Sequence, residues 1–178
     1  MIKLQNVIEN CLMSIKNTNN KEQNFQGRLY AYLLKYEREG YIIEMETSVK
    51  DAHVASLFPE NIKYSKTEID LLIYKKDMSE KYAIELKWNF NPGFHYLDRL
   101  REYEEDVIFV RQLVQDAGFN EACSVIVMDT EHITKLRPNR ANQISEDAFE
   151  NGMICGKQFG QRKKLYDAYE YVIIPFRK

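Results

Sequence analysis

Three residues carry the sharpest chemical signal in this 178-residue chain: Asp70, Glu85 and Lys87. Glu85 and Lys87 lie in Tyr82 to Trp88 (YAIELKW), an apolar stretch that reads as a strand. Side chains alternate across a strand, so the two share one face, and Ile84, Leu86 and Trp88 take the other. Asp70 belongs to Thr67 to Tyr74 (TEIDLLIY), an equally strong strand. If the two strands pair, Asp70 lies beside Glu85, and two carboxylates meet an amine at one end of a sheet. That set suits a hard divalent cation. Mg²⁺ prefers oxygen ligands, keeps several waters and takes one or two carboxylates plus a substrate phosphate. A metal held there polarises a phosphodiester and lowers the pKa of an attacking water. Lys87 would orient that water or offset charge developing in the transition state. The same alternation also describes a half-exposed sheet, with Glu85 and Lys87 a solvated pair of little energetic weight. The setting speaks against this second reading. The strand is apolar and reads as central, where an unpaired carboxylate is costly.

Other elements must hold this pair of strands. Leu4, Val7, Ile8, Cys11, Leu12 and Ile15 recur at helical spacing over Ile2 to Lys16, and the run Asn17 to Asn20 breaks that helix. A second helix is expected from Lys21 to Glu39, with Phe25, Leu29, Tyr32/Leu33 and Tyr36 as its apolar stripe and Gly40 as its cap. Tyr41 to Val49 reads as a strand, Lys50 to Lys66 as irregular, and Lys75 to Lys81 as the polar turn of a hairpin. A long helix follows, from about His95 to Ala117, with Leu100, Tyr103, Val107, Val110 and Val114 buried and Gly118 closing it. The acids between Asp98 and Asp106 are expected on its exposed face. Cys123 to Met128 is apolar enough for a strand buried on both faces. Glu131 to Gln161 is polar and unassigned. Tyr169 to Phe176 closes the chain as a strand, with Pro175 expected at an edge or leaving the sheet. Interleaved helices and strands imply an α/β protein with a mixed central sheet flanked by helices.

The residues from Glu68 to Tyr74 (EIDLLIY), followed by Ala83 to Lys87 (AIELK), resemble the PD-(D/E)xK nuclease superfamily, the restriction-endonuclease-like fold. Asp70 matches its first acid, and Glu85-Leu86-Lys87 its (D/E)-x-K tripeptide. The superfamily core, helix–strand–strand–strand–helix–strand (αβββαβ), matches the order read here from Lys21 to Met128. An extra N-terminal helix and a C-terminal extension lie outside it. The resemblance implies that Asp70 and Glu85 hold Mg²⁺ or Mn²⁺, often joined by the Leu86 carbonyl, and that Lys87 assists the attacking water. It implies phosphodiester hydrolysis, usually of DNA. Many members place a Glu on the first core helix. Glu22 fits, with Gln26 one turn later on the same face in a supporting place. Glu22 also fits as a favourable charge in a first helical turn. Two departures stand: Ile69 replaces the usual proline, and Glu68 is an alternative acid on the same face as Asp70. Asp70 fits better, because Leu71, Leu72 and Ile73 follow it into the core.

Composition bounds the rest. Hydrophobic residues make up 44% and charged residues 29%, as in ordinary globular proteins, so disorder is a poor reading. The length suits one domain spanning residues 1–178. A net charge of −2 excludes coating of nucleic acid or membrane by bulk charge. It is a cancellation, however. From Lys135 onward nine Lys/Arg face five Asp/Glu, and the preceding part is acidic. Lys157, Arg162, Lys163 and Lys164 are the best phosphate-binding candidates in that basic third, though an ordinary solvated loop reads equally well. Cys11, Cys123 and Cys155 form neither a CxxC pair nor a disulfide framework, the N-terminus has no signal-peptide run, and no stretch is long enough to span a membrane. A cytoplasmic protein is the expectation. His53, His95 and His132 lack metal-ligand spacing, with His95 the best placed near a strand end, and no Walker loop or nucleophile elbow occurs. Paired carboxylates also serve glycosidases, but Lys87 and the element order fit phosphodiester chemistry better. The competing function is a nuclease-like module that binds nucleic acid or a partner protein without cutting. A homodimer is one arrangement that would supply two sites for double-strand cleavage.

Overall fold

The computed structural model describes residues 2–15, 22–89, 96–129, 163–166 and 169–178. The chain forms an α/β protein whose six-stranded sheet packs against three helices. Helix α1 covers Leu4–Met13 and α2 covers Glu22–Leu33. Strands β1 (Tyr41–Ser48), β2 (Glu68–Lys75) and β3 (Lys81–Asn89) follow, then α3 (Tyr96–Gln115), β4 (Glu121–Asp129), β5 (Lys163–Tyr166) and β6 (Tyr169–Arg177). The strand order is β1-β2-β3-β4-β6-β5. Among the described strands only β3 and β4 run parallel, joined by α3 as a crossover.

The sheet separates two apolar layers. Leu4, Ile8 and Leu12 of α1 and Phe25, Leu29 and Leu33 of α2 pack on one face, against Leu71, Ile84, Leu86 and Val125. Phe109, Val110 and Leu113 of α3, with Val54, Leu57 and Phe58, pack on the other, against Leu72, Ala83 and Ala122. Strand β4 is buried on both faces, as its continuous apolar run requires: Cys123 and Val125 face the first layer and Ala122 the second.

Several elements differ from their sequence pattern. The second helix stays α-helical only to Leu33; Leu34–Glu39 tightens into 3₁₀ geometry, and Gly40, at φ 84°, caps it. Tyr32 is 38% exposed, so Leu33 alone takes that place in the stripe. A short strand, β5, forms where the sequence suggested only a basic loop. Pro175 stays within β6, in register with Cys123 of β4. The β5 pairing reaches only Tyr171, so Pro175 lies along the stretch of β6 that has no second neighbour among the described residues. Cys11 and Cys123 are buried free thiols, and burial pushes the Cys11 thiol up to about 11. Among the described residues, no helix is long and apolar enough to cross a membrane.

Candidate metal centre

Strands β2 and β3 pair antiparallel with Leu71 opposite Ile84 and Leu72 opposite Ala83. Asp70 and Glu85 are the next residues along, where the paired register ends. Side chains take over there. The Leu86 N–H donates to Asp70 Oδ2 at 2.6 Å, and the Asp70 N–H donates to Glu85 Oε1 at 3.4 Å. The two acids lie at one strand junction, and each carboxylate accepts from the other strand's backbone.

The alternation of β2 inverts at this point. Leu71 and Ile73 face the α1/α2 layer, whereas Ile69 lies in the α3 layer with Leu72 and Tyr74. The neighbouring strand switches too, since Tyr41 and Ile43 face the first layer and Val49, just past β1, the second. Between them Glu46 takes φ 51°, a left-handed backbone rare for a side chain without special reason. Uniform alternation, which put Glu68 and Asp70 on one face, thus does not run through Asp70. Glu68 is exposed and Asp70 is not.

Helix α2 supports the kink. Gln26, 7% exposed, donates from Nε2 to the Asp70 carbonyl at 3.0 Å and to Glu46 Oε1 at 2.5 Å. Glu22 accepts the Trp88 N–H at 2.7 Å, one residue beyond Lys87. Phe25 sets the spacing between them, its ring centroid 5.1 Å from that of Trp88. Both helix residues singled out from sequence therefore touch the two site strands.

Two residues missed by sequence reasoning complete the cluster. Lys66, two residues before β2, places its ammonium against Glu85 Oε2 and 2.6 Å from Asp106 Oδ1. Asp106 of α3 is 1% exposed, so the acid-rich run of that helix is not wholly on its outer face. Its signal was present: Asp106 sits at stripe spacing from Tyr103 and Val110, a charge on an apolar face. Lys66, in an irregular segment, carries no comparable signal. Lys87, its side chain 23% exposed, has its Nζ 3.9 Å from Asp106 Oδ2, too long for a hydrogen bond. Among the described residues the ammonium nearest Glu85 is thus Lys66, and Lys87 makes no hydrogen bond to Asp106. Ser124 of β4 stands in register with Glu85, its hydroxyl buried without a hydrogen-bond partner among the described residues.

Burial sets the electrostatics. It pushes Asp70 up to about 6, with the charges of Asp106 and Glu22 adding and the Leu86 N–H and Lys66 opposing. Glu85, wholly buried, lies well above the usual carboxylate range for the same reason, with Asp70 and Asp106 adding and Lys66 opposing. Burial also raises Asp106, against the pull of Lys66 and Lys87. For Lys66 burial alone would lower the ammonium, but Glu85 and Asp106 outweigh it and hold it above its ordinary value.

Among the described residues no three His, Cys, Asp or Glu side chains form a ready metal cage. The fit to Mg²⁺ or Mn²⁺ rests on other features. The donors are hard oxygens, and two carboxylates are a normal protein share for Mg²⁺. Half-buried Asp70 and the buried Glu85 and Asp106 face two ammonium groups, and among the described residues Asp106 Oδ2 has no hydrogen-bond partner. A cation would relieve that surplus.

The other candidates lie apart. Lys163 pairs with Glu9 of α1 at 2.5 Å on the edge strand β5, and Lys164 is exposed on the same strand. Lys157, Arg162, His95 and His132 lie outside the described residues. His53 is exposed beside Glu44, at 3.1 Å. A cleft of about 590 Å³, with Lys50, Phe58, Lys63, Tyr64 and Thr67 in its wall, opens next to Lys66 along the chain. No protein-family model, no curated protein and no solved structure matches the chain.

Proposed function

We propose that the chain is a Mg²⁺-dependent nuclease with a restriction-endonuclease-like core running from α2 to β4, and that it cuts phosphodiester bonds in DNA. The observation that carries this reading is the junction of Asp70 with Glu85-Leu86-Lys87, where paired strands part and a carboxylate from each turns into the gap. The order α2-β1-β2-β3-α3-β4 supports it, as does the docking of Glu22 and Gln26 on the same strands. Asp70 and Glu85 would hold the metal, with the Leu86 carbonyl as a further oxygen. When bound, the metal supplies Lewis-acid polarisation of the phosphate and acidification of a water. Lys87, partly exposed and not hydrogen-bonded to Asp106, would orient the attacking water. Gln26 fixes the Asp70 carbonyl, and Glu22 fixes the strand just past Lys87. Lys50 and Lys63, with Glu60 in the wall of the cleft that neighbours Lys66 along the chain, would offer a net positive contact to a nucleic-acid backbone. Lys163 is already engaged by Glu9, which leaves Lys164 as the freer phosphate contact on β5. One such centre nicks one strand; a homodimer would present two.

One observation favours the non-catalytic alternative, a module that binds nucleic acid or a partner protein. Lys66 already neutralises Glu85 without a metal. A panel of plasmid, linear and single-stranded DNA and RNA, incubated with Mg²⁺ or Mn²⁺ and with chelator, separates the two. Metal-dependent cleavage of DNA is expected. Binding without cleavage of any substrate would favour the module.

A further inference from the structure

Lys66 stands in an irregular segment two residues ahead of β2, and the chain around it is anchored. The Ser65 N–H donates to Gln112 Oε1 of α3 at 3.0 Å, and Gln112 Nε2 donates to the Lys63 carbonyl at 3.2 Å. The backbone is therefore fixed, while the four-carbon stem of Lys66 remains a flexible lever with its side chain 22% exposed. Its ammonium bridges two acids of unequal kind. Glu85 is wholly buried and shares its surroundings with Asp70, whereas Asp106 comes from α3, which packs on the sheet face that Glu85 presents, and among the described residues retains an oxygen without a hydrogen bond. An ammonium and a divalent cation cannot both sit on Glu85 at low cost, because like charges a few ångströms apart repel strongly in a poorly solvated site. Asp106 gives the ammonium a second home.

We propose that Lys66 is an internal competitor for the metal: a divalent cation enters by exchange for the Lys66 contact at Glu85, and Lys66 stays paired with Asp106. This rests on the reading of Asp70 and Glu85 as metal ligands. Lys66 thereby keeps the buried carboxylates neutralised and limits metal affinity before substrate arrives. It makes Lys66 a positioning residue that sets the occupancy of the site without taking part in the chemistry.

The test is calorimetric titration of the full chain with Mn²⁺ at pH 8 without nucleic acid, with circular dichroism to confirm folding. Lys66→Met should bind Mn²⁺ about tenfold more tightly than the unmodified chain, the scale of one charge-assisted contact removed from competition. Lys66→Arg keeps the charge, and its planar fork can grip both acids, so it should bind Mn²⁺ more weakly. Lys66→Met no tighter than the unmodified chain would overturn the proposal. If Lys66→Met does not fold, Lys66→Arg decides alone, and an affinity equal to or above that of the unmodified chain would overturn it. Absence of Mn²⁺ binding in all three proteins, or binding that survives Glu85→Gln, would instead remove the metal-site reading on which the exchange rests.

Discussion

At the residue scale, the site concentrates buried carboxyl groups that the fold alone would not favour. Asp70 is the clearest case, because burial raises it from its ordinary 3.8 to about 6. Between those values the folded chain binds more protons than the unfolded one. Stability therefore falls as pH rises through that window, and above it the penalty is complete. Asp70→Asn removes the charge and keeps an oxygen to accept the Leu86 N–H. In chelator at pH 7.5 it should raise the unfolding free energy by about 1–3 kcal/mol, and in Mg²⁺ it should abolish cleavage. At pH 4 most of that gain should vanish. Urea denaturation at the two pH values checks this, and a variant less stable at both would contradict the assigned burial penalty. Such a trade between stability and activity would be expected if Asp70 is a ligand of the proposed metal.

At the element scale, most of what positions the site was legible in the chain. Leu4, Ile8 and Leu12 mark α1 by their spacing, and the apolar runs of β2, β3 and β4 mark the central strands. Glu85, Glu22 and Gln26 could be placed because they sit on regular elements whose periodicity aims their side chains, whereas Asp70 was placed beside Glu85 only by the pairing of β2 with β3. Lys66 could not, since an irregular segment gives its side chain no period. Asp106 was misread as surface because its neighbours in sequence are acidic. The inversion at Glu46 and Asp70 was also hidden, since a change of backbone hand leaves no mark in an otherwise regular strand pattern. The glycine at the end of the 3₁₀ turn was legible, and it carries its own prediction. Gly40 has φ 84° and open space around the position of a Cβ, so Gly40→Ala meets backbone strain and no clash. It should lower stability by about 1 kcal/mol and the melting temperature by about 2–4 °C, measured by thermal denaturation.

At the scale of the whole molecule, the net charge of −2 conceals an internal division. Acids gather where β2, β3 and α3 meet, while the basic C-terminal third ends in β5 and β6 on the far side of the sheet. A cation bound only by the folded chain couples to folding by mass action. Mn²⁺ at about a hundred times its dissociation constant should add about 2.7 kcal/mol of stability. A thermal melt should show a rise of several degrees, absent in Glu85→Gln; an equal rise in that variant would place the cation elsewhere. The claim that joins these scales is that Asp70, Glu85 and Lys87 form one metal-dependent hydrolytic site. Plasmid DNA incubated with Mg²⁺ and the unmodified chain, Asp70→Ala or Lys87→Ala tests it most directly. The unmodified chain should convert supercoiled plasmid to nicked or linear forms, and each variant should lose at least about a hundredfold in rate. Cleavage that persists undiminished in both variants would contradict the account.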